Sequence, residues 1–350
     1  MKYRNSFLHL FRSVSVILIV LLFSACSKQN DILNLNKRST YVDFNPVKNE
    51  FALHILDSEG QPLQNFKPIG NVSPSYFVTD SSIAYVDIGG LNLLDPNGMP
   101  IPGFAPIADP LEVKASCDRV TYIDNAHELH ILDVNGTPVP GHTPIPNVGY
   151  VRMSSTRIAY VGWRDYDLHI LNTNGTPIPG YSPISNIGGV ETNSTRIVYL
   201  LGKPGLHILD VNGVPIPGYS PIPNAVDAKL NSTRITYIDG ASLFHILDLN
   251  GVPIPGYTPI PNVVNVQLNS TRITYVDLTT QNLHILNLDG VPISNYPPVN
   301  LRMLFDHHLS DFGIKLSYSN DVQFLSNNGQ PASGWGPLNE VTSKGFHVLP

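Results

Sequence analysis

Apolar residues in this chain fall into short segments rich in Val, Ile, Thr and Tyr, separated by Gly, Pro, Asn and Asp. β-branched and aromatic residues between turn formers predict strands throughout. The one long uninterrupted apolar run is Val14–Phe23, near the N-terminus.

The strand pattern repeats. Leu-His-Ile-Leu recurs with its histidine at positions 54, 130, 169, 207 and 284, as Phe-His-Ile-Leu with His245, and Asn92 and Gln323 fill the two missing places. Successive positions are 38 or 39 residues apart, giving eight units without a gap. The best-formed unit runs from Val264 through Asn269-Ser-Thr, Arg272-Ile-Thr-Tyr-Val-Asp277, Leu283-His-Ile-Leu286 and Asp289-Gly290 to Val291-Pro-Ile. Each unit holds four strand-like segments. Asn-Gly recurs between the third and fourth, at Asn97, Asn135, Asn174, Asn212 and Asn250, where a hairpin turn needs positive φ. Short strands in a unit of about this length predict an all-β protein, a β-propeller of eight four-stranded blades; a seven-bladed ring with one displaced unit is the alternative. In Val252-Pro-Ile-Pro-Gly-Tyr-Thr-Pro-Ile260 the prolines at 253, 255 and 259 share one parity. They remove backbone donors on one side only, which predicts an outer edge strand. The first unit enters on a second-strand-like segment, Arg38–Asp43. Either the tail Glu340–Leu349 or Ile32–Asn36 is expected to supply its innermost strand.

Composition narrows the class. Only 14% of residues are charged and Pro plus Gly make up one residue in six. That density of breakers is incompatible with an all-helical fold, and 42% apolar residues argue against disorder. A net charge of −6 gives no electrostatic basis for nucleic-acid binding.

Lys2, Arg4 and Arg12 precede the apolar run, which ends in Ser24-Ala25-Cys26. This order reads as a secretory signal and is too short for a comfortable membrane span. The small-small-Cys ending resembles a bacterial lipobox, which implies a lipid on Cys26. No Asp follows Cys26, which favours the outer membrane where the source has two membranes. The expected organisation is a signal peptide over 1–25, a lipidated tether over 26–35 and a single propeller domain over 36–350. Cys117 is expected to be an unpaired, buried thiol.

The repeat Asn-Ser-Thr-Arg-Ile-Thr-Tyr-Val-Asp, a loop, then Leu-His-Ile-Leu-Asp-x-Asn-Gly resembles the TolB-type propeller repeat. Asn-Ser-Thr stands where that family has Ser-Pro-Asp-Gly. Eight units behind a lipobox are also similar to the BamB-like lipoproteins of the outer membrane. The resemblance implies a propeller fold in the cell envelope and leaves the activity open, because propellers host many functions.

Positions constant across units read as scaffold, and positions that vary are candidates for function. The histidine column is one per unit, with Asn92 and Gln323 substituting, so it is expected to hydrogen-bond within the scaffold and to bind no metal. The tyrosine column (Tyr41 to Tyr275), the outer aromatic column (Phe66 to Trp335) and the arginine column (Arg119, Arg157, Arg196, Arg234 and Arg272) read as packing and turn clamping. Asp306, His307, His308 and Asp311 in unit eight lie on a strand whose successive side chains face opposite ways, and no site is assigned there. Innermost-strand positions vary between units. Lys114, Arg152, Glu191, Lys229 and Gln267 form one register, with Phe77 as its counterpart in the second unit; Glu112, Tyr150, Gly189, Asp227 and Asn265 form another, with Ser75 in that unit. These are the candidate channel residues, with mixed signs that predict ion pairs around a wet tunnel.

The loops between the second and third strands vary most and share one rim. Loops on a rigid scaffold carry function, so the binding face is expected there: His127 and Glu128, Trp163, Arg164, Asp165, Tyr166 and Asp167, and Lys203. Trp, Arg and Tyr are enriched at interface hot spots. No Gly-x-Ser-x-Gly, phosphate loop or zinc motif occurs. No catalytic residue and no cofactor is therefore assigned. The sequence predicts a non-catalytic, monomeric scaffold with a protein partner, tethered to the membrane through its lipid. A carbohydrate-binding or enzymatic channel is the alternative.

Overall fold

The computed structural model describes residues 39–45, 50–56, 63–79, 81–201, 205–293, 299–300, 304–309, 313–318 and 322–326. Among these the chain is all strand and turn, with 25 strands in eight antiparallel sheets and no helix. The sheets follow one another in sequence, as the repeat predicts. Sheet one holds Ser39–Asn45, Glu50–Leu56 and Ile69–Gly70, and sheet two Val72–Val78, Ile83–Asp87 and Gly90–Leu94. Sheet three holds Glu112–Ser116, Arg119–Ile123 and Leu129–Asp133, and sheet four Val148–Met153, Arg157–Gly162 and Leu168–Asn172. Sheet five holds Ile187–Thr192, Arg196–Leu201 and Gly205–Asp210, and sheet six Ala225–Leu230, Arg234–Asp239 and Phe244–Asp248. Sheet seven holds Val263–Leu268, Arg272–Asp277, Asn282–Asn287 and Val299–Asn300, and sheet eight Leu304–Leu309, Gly313–Tyr318 and Val322–Ser326. Sheet one begins on the strand that the sequence reads as second in its unit. Both candidates for its missing inner strand lie outside the described residues.

The expected fourth strand is corrected. Sheet seven alone has four strands among the described residues; in sheets two to six the proline-rich segment is pinned at two points. In sheet six, Pro253 bridges Leu247 and Ile260 bridges Phe244, so eight residues of the outer segment span four of its neighbour. The surplus loops out at Pro255-Gly256, where Gly256 has φ +78°. The prolines belong to an edge, as expected, but to a looped edge that cannot continue the ladder. Ile254 donates to Ile246 O (3.2 Å) and Phe244 and Ile260 exchange both bonds. These contacts bury the isoleucines over the sheet.

Within a sheet the middle and third strands carry the repeat's most regular contacts. Tyr122 faces His130, Tyr160 faces His169, Tyr199 faces His207 and Tyr237 faces His245 across the ladder. Each pair stacks nearly parallel, with ring centroids 4.3–4.7 Å apart. Aromatic cross-strand pairs of this kind stabilise a sheet by about 0.2–1 kcal/mol each.

Three contacts tie one sheet to the next, all from constant repeat positions. First, the buried turn asparagines form a chain. Asn193 Nδ2 donates to Asn231 O and Asn231 Nδ2 donates to Asn269 O, each at 2.6 Å. Second, Arg157, Arg196 and Arg234, each at the start of a middle strand, clamp the hairpin of the following sheet, whereas Arg119 turns to its neighbour Asp118. Arg196 Nε donates to Leu249 O (2.8 Å) and its Nη2 to Asn250 Oδ1 (2.9 Å); Arg234 does the same to Leu288 O (3.1 Å) and Asp289 Oδ1 (2.6 Å). Third, the outer aromatic ring lies on the next hairpin's glycine. A Cβ on Gly251, at φ +83°, would stand 2.3 Å from Tyr219 Cδ2, so only glycine fits. The tyrosine hydroxyls also bond inside their own sheet, as Tyr257 OH does to Phe244 O at 2.8 Å.

Candidate functional site

The variable loops are held from two sides. Trp163 N donates to Asn147 O (2.8 Å), just ahead of the same sheet's inner strand, and Ile187 N donates to Tyr166 O (2.9 Å), linking the loop to the next sheet. Asn147 Nδ2 donates to Asp165 Oδ2 (2.8 Å), while Asn147 Oδ1 accepts from Arg164 N (3.2 Å). Asp165 also lies against Gly162, where a Cβ would collide with its carboxylate. Asp165 thus stitches the loop from beneath, and Asp167 N donates to Asp165 Oδ1 (3.2 Å).

Above this stitching stand the aromatics. Trp163 is 51% exposed and stacks on His127 of the preceding sheet's loop, with centroids 4.3 Å apart and planes 15° apart. His127 Nδ1 donates to Val148 O (3.2 Å), fixing the imidazole beneath the indole. Tyr166 is 59% exposed and sits at φ +56°, the left-handed region. His127, Ser242 and Gln281 hold the same loop position in other sheets, at φ +55° to +60°. An aromatic there is held against its backbone preference. The fold therefore brings Trp163, His127, Arg164 and Tyr166 to one rim. Lys203 lies outside the described residues, as do Cys26, the signal segment and the tether.

Glu128 joins a different group. One ligand atom each of Asp124, Glu128 and His130 lie within 4.8 Å of one another. His130 Nε2 is 2.9 Å from Asp124 Oδ2, and burial opposes the Asp124 carboxylate. The N–H of Glu128, His130 and the N–H of Ala126 outweigh that opposition and hold its pKa below the usual carboxylate value. The same pair recurs as His245 Nε2 and Asp239 Oδ2 at 3.1 Å, where Leu243 replaces the glutamate. The Asp–His pair is thus repeat scaffold. Burial lowers the pKa values of His169, His207 and His284, which keeps those imidazoles neutral near pH 7.

The inner strands form a chain of ion pairs across sheets three to six. Lys114 and Arg152 meet Glu112 at 3.2 and 3.4 Å, Arg152 and Lys229 each lie 3.7 Å from Glu191, and Lys229 lies 3.4 Å from Asp227. Lys114 also stands 5.2 Å over the Phe77 ring. Gln267 occupies the same register in sheet seven, opposite Thr274. Burial, ahead of the neighbouring cations, pushes the Glu191 pKa up. A cavity of about 290 Å³ opens beside this chain, between the inner strands of sheets four, five and six.

Sequence reasoning missed three features. The inner strands of sheets two and four to eight carry register shifts. The loop-stitching Asn147 has counterparts at Asn186, Asn224 and Asn262, all at φ +59° to +63°; their recurrence ahead of the inner strands of sheets four to seven was the available signal. Asp124 likewise recurs as Asp87, Asp239 and Asp277. The expectation of an unpaired Cys117 is corrected: Cys117 is 7% exposed and disulfide-bonded.

No family model and no curated protein matches the chain. Solved structures do match. A eukaryotic initiation factor aligns with TM-score 0.57 and 12% identity, over 87% of this chain and 88% of its own. Hsv2 of Kluyveromyces lactis, with loop 6CD replaced by a Gly-Ser linker, aligns with TM-score 0.51 and 12% identity, over 78% and 94%. BamB from Moraxella catarrhalis aligns with TM-score 0.46 and 17% identity, over 83% of this chain and 96% of its own. Identities this low speak to fold alone, and Hsv2 is a propeller. With its serial antiparallel sheets and constant sheet-to-sheet clasps, the chain is an all-β repeat protein of the β-propeller fold.

Proposed function

We propose that this protein is a TolB-type propeller of eight blades in a closed ring, lipid-anchored in the bacterial cell envelope, that binds a protein partner on its variable rim without chemistry. The observation that carries the reading is the Trp163–His127 stack beside the exposed Tyr166. Two adjacent loops hold these rings at the surface, and exposed aromatics on rigid loops are the material of interface hot spots. Sheets six and seven place Ser242 and Gln281 where Tyr166 stands, so the scaffold does not require an aromatic there.

The anchor rests on the sequence around Cys26. The chain has two cysteines, so a thioether on Cys26 and the Cys117 disulfide exclude each other. The lipidated protein carries Cys117 as a thiol. Intact mass of the envelope-extracted protein tests this: lipid mass on a chain beginning at Cys26, with one alkylatable thiol, is expected. A lipid-free chain with both cysteines oxidised overturns the anchor.

The rim is tested by pull-down from detergent-solubilised envelopes, with wild type beside a Trp163→Ala, Arg164→Ala, Tyr166→Ala triple variant. A stoichiometric partner recovered by wild type and lost by the variant is expected. Equal recovery by both moves the site off the rim, and recovery of nothing by wild type overturns the adaptor reading.

A further inference from the structure

The cavity beside the ion-pair chain exists because of two glycines. Gly188 and Gly189 open the inner strand of sheet five, at its register shift, and both line the cavity. Glycine is usually placed by positive φ or by a close neighbour. Neither applies here. Neither residue has positive φ, and a Cβ would lie 3.7 Å from Leu200 O at Gly188 and 3.9 Å from Leu200 Cδ1 at Gly189, ordinary contact distances. Other sheets carry side chains in the Gly189 register, with Glu112 opposite Ile123, Tyr150 opposite Val161 and Asp227 opposite Ile238. The scaffold therefore tolerates a side chain where sheet five leaves space.

The lining has a definite chemistry. Three acids and three bases alternate in the chain Lys114–Glu112–Arg152–Glu191–Lys229–Asp227, and each base has an acid within 3.7 Å. The site is electrically balanced, so a charged ligand would have to break a pair to gain one. Tyr150 packs against the Val190 backbone with its hydroxyl buried. Val198, Leu200 and Ala228 supply apolar wall. The volume is at the lower end of small-molecule sites, about 300–1,000 Å³. An apolar wall and paired acids and bases suit a small ring with apolar C–H faces and a rim of neutral hydroxyls.

We infer that the Gly188–Gly189 cavity is a binding site for a neutral sugar ring. It is separate from the rim and does not rest on the partner-binding reading. Arg152, Glu191, Asp227 and Lys229 bond its hydroxyls without giving up their ion pairs.

The test is a titration of the full mature chain in detergent with D-glucose and N-acetyl-D-glucosamine, with D-glucuronate as charged control, read by calorimetry and by ligand-observed NMR. Binding of at least one neutral sugar with Kd of about 1 mM is expected, a usual affinity for a small ligand. Glucuronate should bind about tenfold more weakly. Gly189→Tyr, which restores the Tyr150 side chain of the sheet-four register, should abolish binding while leaving the melting temperature within about 2 °C of wild type. Should Gly189→Tyr fail to fold, Gly189→Asn, the residue of the sheet-seven register, takes its place with the same expectation. No binding of either neutral sugar overturns the inference. So does unchanged binding in the cavity-filling variant, or tighter binding of glucuronate.

Discussion

Replacing Asn231 by Asp changes one atom at the point where sheets five, six and seven are joined. Asn231 is 1% exposed. Its Oδ1 accepts from Thr233 N (2.8 Å) and Arg234 N (2.7 Å), closing the turn, and its Nδ2 donates to Asn269 O at 2.6 Å. Asp keeps the first two contacts and turns the third into a carboxylate oxygen facing a carbonyl. A buried acceptor left without its donor costs about 1–3 kcal/mol, and an uncompensated buried charge about 3–5 kcal/mol. The new carboxyl escapes the larger penalty by staying protonated, since an O–H restores the donor to Asn269. Its folded pKa therefore lies above its unfolded value of about 3.9. The sign follows: the variant is closest to wild type below that unfolded value and loses stability as pH rises through the folded pKa. Near neutral pH the loss should reach about 3–5 kcal/mol, a drop of roughly 10 °C in melting temperature at this chain length. Thermal melts of both proteins from pH 4 to pH 8 measure the gap. A gap that is constant with pH, or that narrows as pH rises, refutes the idea that Nδ2 carries the junction.

The ring-on-glycine contact has an internal control. Gly251 (φ +83°) and Gly256 (φ +78°) share the left-handed backbone, but a Cβ meets the Tyr219 ring only at Gly251. Gly256→Ala should cost about 1 kcal/mol from the backbone alone, and Gly251→Ala about 2 kcal/mol more from overpacking; equal losses in urea unfolding would show that the ring yields freely. Asp239 titrates below the usual carboxylate value, because burial is outweighed by the N–H of Leu243, His245 and the N–H of Ala241. Its stabilisation is thus present above about pH 4 and lost as pH falls through the lowered pKa. Asp239→Asn should flatten the acid limb of the stability profile by no more than about 1 kcal/mol, given the pair's partial exposure, and an unchanged acid limb would remove Asp239 from that account.

The fold was legible because the repeat supplies its own comparison. Leu-His-Ile-Leu and its close variants mark the third strands, and Asn-Gly marks most of the hairpins that follow. Arg157, Arg196 and Arg234 clamp turns as the constancy of their column suggested, and Arg119 does not. The proline segment was misread because parity reports which donors are absent and not how many residues the neighbour can match. Eight residues against four is a fact of three dimensions. Glu112, Tyr150, Gly189 and Asp227 share one ladder register, as their alignment suggested, but Ser75 and Asn265 fall inside bulges that were invisible, since an extra residue leaves no mark on a short apolar segment. On the rim, Trp163 and Tyr166 were visible as residue types, whereas the roles of Asp165 and Asn147 depend on which carboxylate folds under which loop. The Asp124–His130 pair was hidden because six residues separate partners that a hairpin brings to 2.9 Å.

The clasps between sheets all reach the same way along the chain. Arg196, Asn193 and Tyr181 of the fifth and fourth sheets extend to groups that come later in sequence, and Arg234, Asn231 and Tyr219 do the same one unit on. A unit that has just emerged during synthesis is thus a set of open hands: its donors find their acceptors only when the following unit arrives. Growth from the N-terminus becomes a sequence of completions, each new unit closing its predecessor and opening its own claim on the next. The middle units are interchangeable in this respect. Duplicating or deleting one leaves the handshakes between the remaining middle units intact.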